Sequence, residues 1–66
     1  MKNRLKVARA EMDITQGELA ECIGVTRQAV NSIELGKYVP STELALKMAR
    51  VLGKTVEELF QLEEGD

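Results

Sequence analysis

The sequence carries the same helix-starting signal twice, as TQGE at residues 15–18 and as TVEE at residues 55–58. Each is a capping box: the threonine hydroxyl accepts from the amide three residues later, and the glutamate there accepts from the threonine amide. Further N-cap residue types and helix-ending glycines lie between the two signals. These signals constrain the chain to short helices joined by tight turns.

Apolar spacing at the helical period predicts five helices, so the expected fold class is all-α. The predicted helices run from about Asn3 to Met12, Thr15 to Gly24, Thr26 to Gly36, Ser41 to Gly53, and from Thr55 onward. The inward positions are expected at Leu5, Ala8, Met12, Leu19, Ala20, Ile23, Ala29, Val30, Ile33, Leu44, Ala45, Met48, Ala49, Leu52 and Leu59. Residues 1–66 are interpreted as one domain, and residues after Phe60 as a candidate short strand beside Met1–Lys2.

Residue types that support catalysis or metal binding are scarce. The 66 residues include no His and one Cys, which excludes an internal disulfide and leaves a metal site almost without ligands. General acid–base chemistry also lacks its usual groups, so we expect no enzyme, cofactor or metal. Cys22 is expected to be a small, partly buried apolar residue. No apolar run reaches the length of a membrane span, and a cytoplasmic protein is expected.

Charge is segregated along the chain. Residues 57–66 contain five acidic and no basic side chains, so the remaining residues carry nine basic against six acidic groups, a balance of +3 within a total of −2. A basic surface is therefore compatible with an acidic total. A solvated acidic tail over residues 61–66, beside ordinary basic residues, explains the same counts.

The segment GVTRQAVNSIELGK at residues 24–37 predicts an amphipathic helix with an unusual polar side. Ala29, Val30 and Ile33 share one arc, and the opposite arc contains Arg27, Gln28, Asn31 and Ser32. A solvent-exposed face usually carries Lys and Glu, whereas these side chains offer directional donors and acceptors. Only Gly24-Val25-Thr26 separates this helix from the preceding one, which is typical of a helix-turn-helix over about residues 15–35. A merely solvated polar face remains the alternative.

The stretch ITQGELAECIGVTRQAVNSIELGKYVPS closely resembles the Cro/C1-type (lambda-repressor-like, XRE) helix-turn-helix transcription regulators, especially short prokaryotic members. The resemblance covers about residues 3–60 and implies a compact five-helix DNA-binding domain whose third helix lies in the major groove. It implies base contacts from Arg27, Gln28 and Asn31, and from Ser32 a contact to either a base edge or a phosphate. It also implies phosphate contacts from Gln16, Thr26, Lys37 and Tyr38.

Several of these implied roles have alternatives. Gln16 is expected to brace Gln28 as well as to hold phosphate, but it also suits an ordinary first-turn position. Tyr38 is alternatively a surface aromatic residue on its loop. The family also implies a structural ion pair between Arg9 and Glu34, against the alternative that Glu34 faces solvent.

The resemblance implies a homodimer on inverted-repeat DNA, because one recognition helix contacts too few base pairs for selectivity. The expected dimer interface consists of Leu46, Val56, Phe60 and Leu62, with the acidic tail away from DNA. The predicted function is a transcriptional regulator, acting as a repressor that covers its operator. The alternative is an antitoxin-like or accessory protein whose main role is to bind an unknown protein partner.

Overall fold

The computed structural model describes residues 1–66 and is mostly helical, as predicted. The elements in chain order are β1 (Lys2–Asn3), α1 (Leu5–Met12), α2 (Gln16–Ile23), α3 (Arg27–Glu34), α4 (Thr42–Leu52), α5 (Val56–Leu59) and β2 (Phe60–Gln61). The two strands pair antiparallel, with Lys2 opposite Gln61 and Asn3 opposite Phe60. No helix has both the length and the apolar character needed to cross a membrane.

Both capping boxes are confirmed. The hydroxyl of Thr15 accepts from the Glu18 amide at 3.0 Å, and the Thr15 amide donates to the Glu18 carboxylate at 2.9 Å. Thr55 and Glu58 make the same two bonds at 3.1 and 2.9 Å. The N-caps of α3 and α4 are Thr26 and Ser41. Because these bonds form within four residues, the helix starts were predictable from sequence.

The core lies where the five helices meet and contains 13 buried hydrophobic residues. Its largest fully buried side chains are Leu5, Leu19, Val30, Ile33, Met48 and Leu59. Two expectations about burial are wrong. Met12 is 48% exposed because α1 ends beyond the edge of the core, and Cys22 is exposed rather than partly buried.

The chain ends differ from the predicted helix limits. Helix α1 begins at Leu5 instead of Asn3, because Lys2 and Asn3 pair with β2. Helix α5 is only four residues long, and Phe60 already has extended backbone, with φ −125° and ψ 131°. The short strand considered after Phe60 exists, but it includes Phe60 itself.

Candidate nucleic-acid interface

Helices α2 and α3 are joined by a three-residue turn that determines which side of α3 faces outward. Gly24 has φ 75°, a left-handed conformation that glycine adopts without steric penalty. Val25 packs against the core, and Val30 and Ile33 are buried on the inner side of α3. The opposite side of α3 is thereby directed away from the protein.

That outward side, the outer face of α3, consists of Arg27, Gln28, Asn31 and Ser32. The first three are exposed and Ser32 is half-buried. The stem of Arg27 runs beside the first turn of α2, since a Cβ added at Gly17 would lie 3.8 Å from Arg27 Cδ. The residues that the sequence predicted as base contacts thus lie together, on one rigid element.

Gln16 connects the start of α2 to the outer face of α3. Its Nε2 donates to Asn31 Oδ1 at 3.0 Å and to Glu34 Oε1 at 3.1 Å. The expectation that Gln16 braces Gln28 is therefore wrong, because both amide hydrogens are directed to residues further along α3. A side-chain hydrogen bond from Gln16 to phosphate would require breaking one of these bonds.

Arg9 and Glu34 form a two-bond ion pair between α1 and the last turn of α3. Arg9 Nε lies 2.6 Å from Glu34 Oε2, and Arg9 Nη2 lies 3.1 Å from Glu34 Oε1. The hydrogen bonds to this carboxylate raise the pKa of Arg9. The third guanidinium nitrogen donates to the Ile14 carbonyl at 2.9 Å. The side chains are 13% and 6% exposed, so Glu34 does not face solvent.

Asn3 holds the far end of α3, a role that the sequence did not reveal. Its Nδ2 donates to the Ile33 carbonyl at 2.8 Å, and its Oδ1 accepts from the Leu5 amide at 3.1 Å. One side chain thus supports the start of α1 and the end of α3. An Asn just before a helix is a local capping signal, but its contact with α3 spans 30 residues and has no local signature.

The predicted phosphate contacts occupy two places beside the outer face. The Thr26 hydroxyl accepts from the Ala29 amide at 3.1 Å, which leaves its hydrogen available to an anion. Lys37 and Tyr38 are exposed in the loop between α3 and α4. Glu63, in the acidic tail, lines a shallow groove with Leu35 at the end of α3. Part of the acidic tail, which was expected to lie away from DNA, thus approaches the end of α3.

The tail is held against the start of the chain. The Met1 ammonium lies 3.0 Å from an Asp66 carboxylate oxygen and 3.4 Å from Glu63 Oε1. The hydrogen bond to Asp66 raises the pKa of the ammonium. The pKa of Asp66 is lowered, first by the backbone amide of Glu63 and then by the ammonium. This contact, the terminal clasp, closes the β1–β2 ribbon.

The predicted dimer residues lie in or near an open apolar groove between α4, α5 and the α3–α4 loop. Its apolar lining comprises Met1, Val39, Pro40, Ala45, Leu46, Val56 and Phe60. Leu46 is 57% exposed, whereas Phe60 is only 9% exposed and belongs to the core. Phe60 therefore offers little free surface to a partner in this groove. Leu62 is exposed but does not line the groove.

Comparison with known proteins identifies the class. A helix-turn-helix family model matches residues 5–59. An uncharacterized HTH-type transcriptional regulator of Methanocaldococcus jannaschii is 46% identical over 66 residues, the full length of both chains. The uncharacterized HTH-type transcriptional regulator YgzD of Bacillus subtilis is 48% identical over 64 residues, 97% of each chain. Multiprotein-bridging factor 1b of Arabidopsis thaliana is 34% identical over 53 residues, 80% of this chain and 37% of that protein.

The chain belongs to the Cro/C1-type helix-turn-helix family of DNA-binding transcription regulators.

Proposed function

We propose that this protein is a sequence-specific regulator that binds an inverted-repeat operator as a homodimer and represses transcription in the cytoplasm by excluding polymerase. The observation that carries the proposal is the outer face of α3. It displays Arg27, Gln28 and Asn31 to solvent on a helix anchored by buried Val30 and Ile33. An α-helix fits the major groove, where such side chains form paired hydrogen bonds with base edges.

Candidate contacts to the DNA backbone flank the outer face of α3, which is where contacts that position a recognition helix are expected. Thr26 lies at its start, and Lys37 and Tyr38 follow its end. Phosphate contacts of this kind orient the helix without sequence information, and base contacts then supply the selectivity.

The apolar groove supports the homodimer. Leu46 and Val39 are 57% and 62% exposed there, beside the mostly buried Phe60. In a two-fold dimer that covers this surface, we expect the two α3 helices to contact half-sites about 34 Å apart.

The decisive experiment is a selection of bound duplexes from a random pool, followed by titration of the selected duplex. We expect an inverted repeat bound by two chains. With roughly six to eight phosphates contacted per dimer, the logarithm of the binding constant should fall against the logarithm of salt with a slope of about −5 to −7. Enrichment of no sequence, or a flat salt response, would contradict the proposal.

Variants of the outer face test the role of individual side chains. Arg27→Ala and Gln28→Ala should each weaken binding to the selected duplex by about 1–3 kcal/mol and relax selection at one base pair per half-site. Lys6→Ala is the matched control, because it also removes one positive charge, but from an exposed position on α1. It should leave the selected sequence unchanged.

A second candidate function is binding to a protein partner, with DNA binding in a supporting role. The exposed apolar groove favours it, as does similarity to a relative named multiprotein-bridging factor. Purification from the native host distinguishes the two. A stoichiometric partner that blocks self-association would favour this candidate, whereas a homodimer alone would favour the first.

A further inference from the structure

The ion pair between Arg9 and Glu34 determines the orientation of a side-chain amide at the protein surface. An Asn or Gln amide can turn by 180° in the same space, which exchanges its donor and its acceptor. The Glu34 carboxylate, bonded through both oxygens to Arg9, can only accept. The Gln16 atom 3.1 Å from Glu34 Oε1 must therefore be the NH₂ nitrogen.

The same constraint passes from Gln16 to Asn31. The Gln16 NH₂ nitrogen also lies 3.0 Å from the Asn31 side chain, where only an acceptor can meet it. Asn31 must therefore place its Oδ1 toward Gln16. Its Nδ2, with two donor hydrogens, is left for a ligand on the exposed side of α3.

We propose that Asn31 is a directed donor and selects guanine over adenine at the base pair it contacts, with Gln16 and Glu34 as positioning residues. Guanine presents two acceptors in the major groove, N7 and O6, whereas adenine presents one acceptor and one donor. An unrestrained Asn pairs with adenine by donating to N7 and accepting from N6. Here the bond from Gln16 turns Oδ1 toward α2, and the hydrogens on Nδ2, which are left on the exposed side, match guanine. The inference rests on the proposed function.

The experiment repeats the duplex selection with the full chain and two variants. Asn31→Ala identifies the base pair concerned, as the position where selectivity is lost. At that position the unaltered protein should favour guanine over adenine by roughly fivefold or more. Gln16→Met keeps the side-chain length but removes both donors. It should bring the guanine-to-adenine ratio to about one or below, with selection at the Arg27 and Gln28 positions unchanged.

Gln61→Met is the matched control, because Gln61 also donates two side-chain bonds, but to the Glu57 and Glu58 carbonyls of α5 rather than to α3. It should leave the guanine preference intact. Preference for adenine in the unaltered protein, or persistence of the guanine preference in Gln16→Met, overturns this inference while the proposed function stands. Absence of any sequence selection overturns both.

A measurement on the free protein tests the hydrogen bonds without DNA. Hydrogen exchange of the side-chain amides, followed by NMR, should be roughly two- to tenfold slower for Gln16 than for exposed Gln28, since both Gln16 hydrogens are bonded. Equal exchange of Gln16 and Gln28 would show that Gln16 does not hold Asn31. That result overturns the inference even if Gln16→Met fails to fold.

Discussion

The outer face of α3 and the apolar groove are both exposed, but they are organised by different forces. The outer face is polar, and hydrogen bonds from Gln16 hold one of its side chains in a defined direction. The groove is lined mainly by apolar side chains, which impose no comparable direction. A hydrogen bond within the chain gives a base-contacting side chain a defined direction, whereas the side chains of an apolar groove are ordered only by a partner that covers them.

The largest expected effect comes from removing the support beneath the outer face. Glu34→Ala leaves the mostly buried Arg9 guanidinium without its partner, so the free energy of unfolding should fall by about 3 kcal/mol. Urea denaturation measures the change. Lys47→Ala breaks an exposed ion pair with Glu43 and should change stability by no more than about 0.5 kcal/mol. Similar losses in the two variants would contradict the importance of the buried pair.

A substitution in the apolar groove should weaken dimer formation and leave the free energy of unfolding nearly unchanged. Leu46→Gln makes an exposed position of α4 polar, and in a two-fold dimer the loss counts twice. At about 1.5 kcal/mol per leucine, the dimer should weaken by about 3 kcal/mol, or roughly 100-fold. Sedimentation equilibrium measures this dissociation constant.

Met12→Gln, at a residue 48% exposed on α1, is the control for the groove. It should leave the dissociation constant unchanged. A Leu46→Gln protein that associates as tightly as the unaltered chain would exclude the groove as the dimer interface.

Asn3 joins strand β1 to the end of α3, and Met1, which precedes that strand, lines the groove. Asn3→Ala should lower the free energy of unfolding by about 1–2 kcal/mol, because it leaves the Leu5 amide and the Ile33 carbonyl without these bonds. Asn3→Ser supplies a hydroxyl oxygen that can accept from the Leu5 amide, places no charge beside the Ile33 carbonyl, and should lose less. Thermal unfolding of both variants checks the order, and a reversed order would contradict the role of Asn3 at the start of α1.

The smallest expected effect is the pH response of the terminal clasp. The pKa of the Met1 ammonium is raised, so its contribution is complete at neutral pH and is lost as pH rises above about 8. The pKa of Asp66 is lowered, so its contribution is lost as pH falls below about 4. NMR shifts of Met1 and Asp66 should change together at both limits, with α3 unaffected. Acetylation of the N-terminus should abolish the alkaline transition.

Much of the fold was predictable because its signals are local. Thr15, Thr26, Ser41 and Thr55 cap their helices through bonds that span three residues, and the apolar spacing then identifies most of the core. The same reasoning failed at Met12, because periodicity shows which side of a helix is apolar but not where the core ends.

The sequence predicted which residues form the candidate site, but it did not predict which hydrogen bonds they make. The helical period alone places Arg27, Gln28 and Asn31 on one side of α3. The partners of Gln16 did not follow, because Asn31 and Glu34 lie 15 and 18 residues away. A shift of α2 along α3 by one turn would have paired Gln16 with a different residue. Asn3 was missed for the same reason.

By itself, the sequence determined where the four capped helices α2 to α5 begin and which side of α3 is polar, because both depend on interactions within about one helical turn. Only the tertiary structure decided that Phe60 belongs to strand β2 instead of helix α5, and that the Gln16 amide donates to Asn31. The packing of distant segments sets the distances between those groups. Hydrogen bonds, which require about 3 Å between their atoms, form only where that packing brings donor and acceptor together.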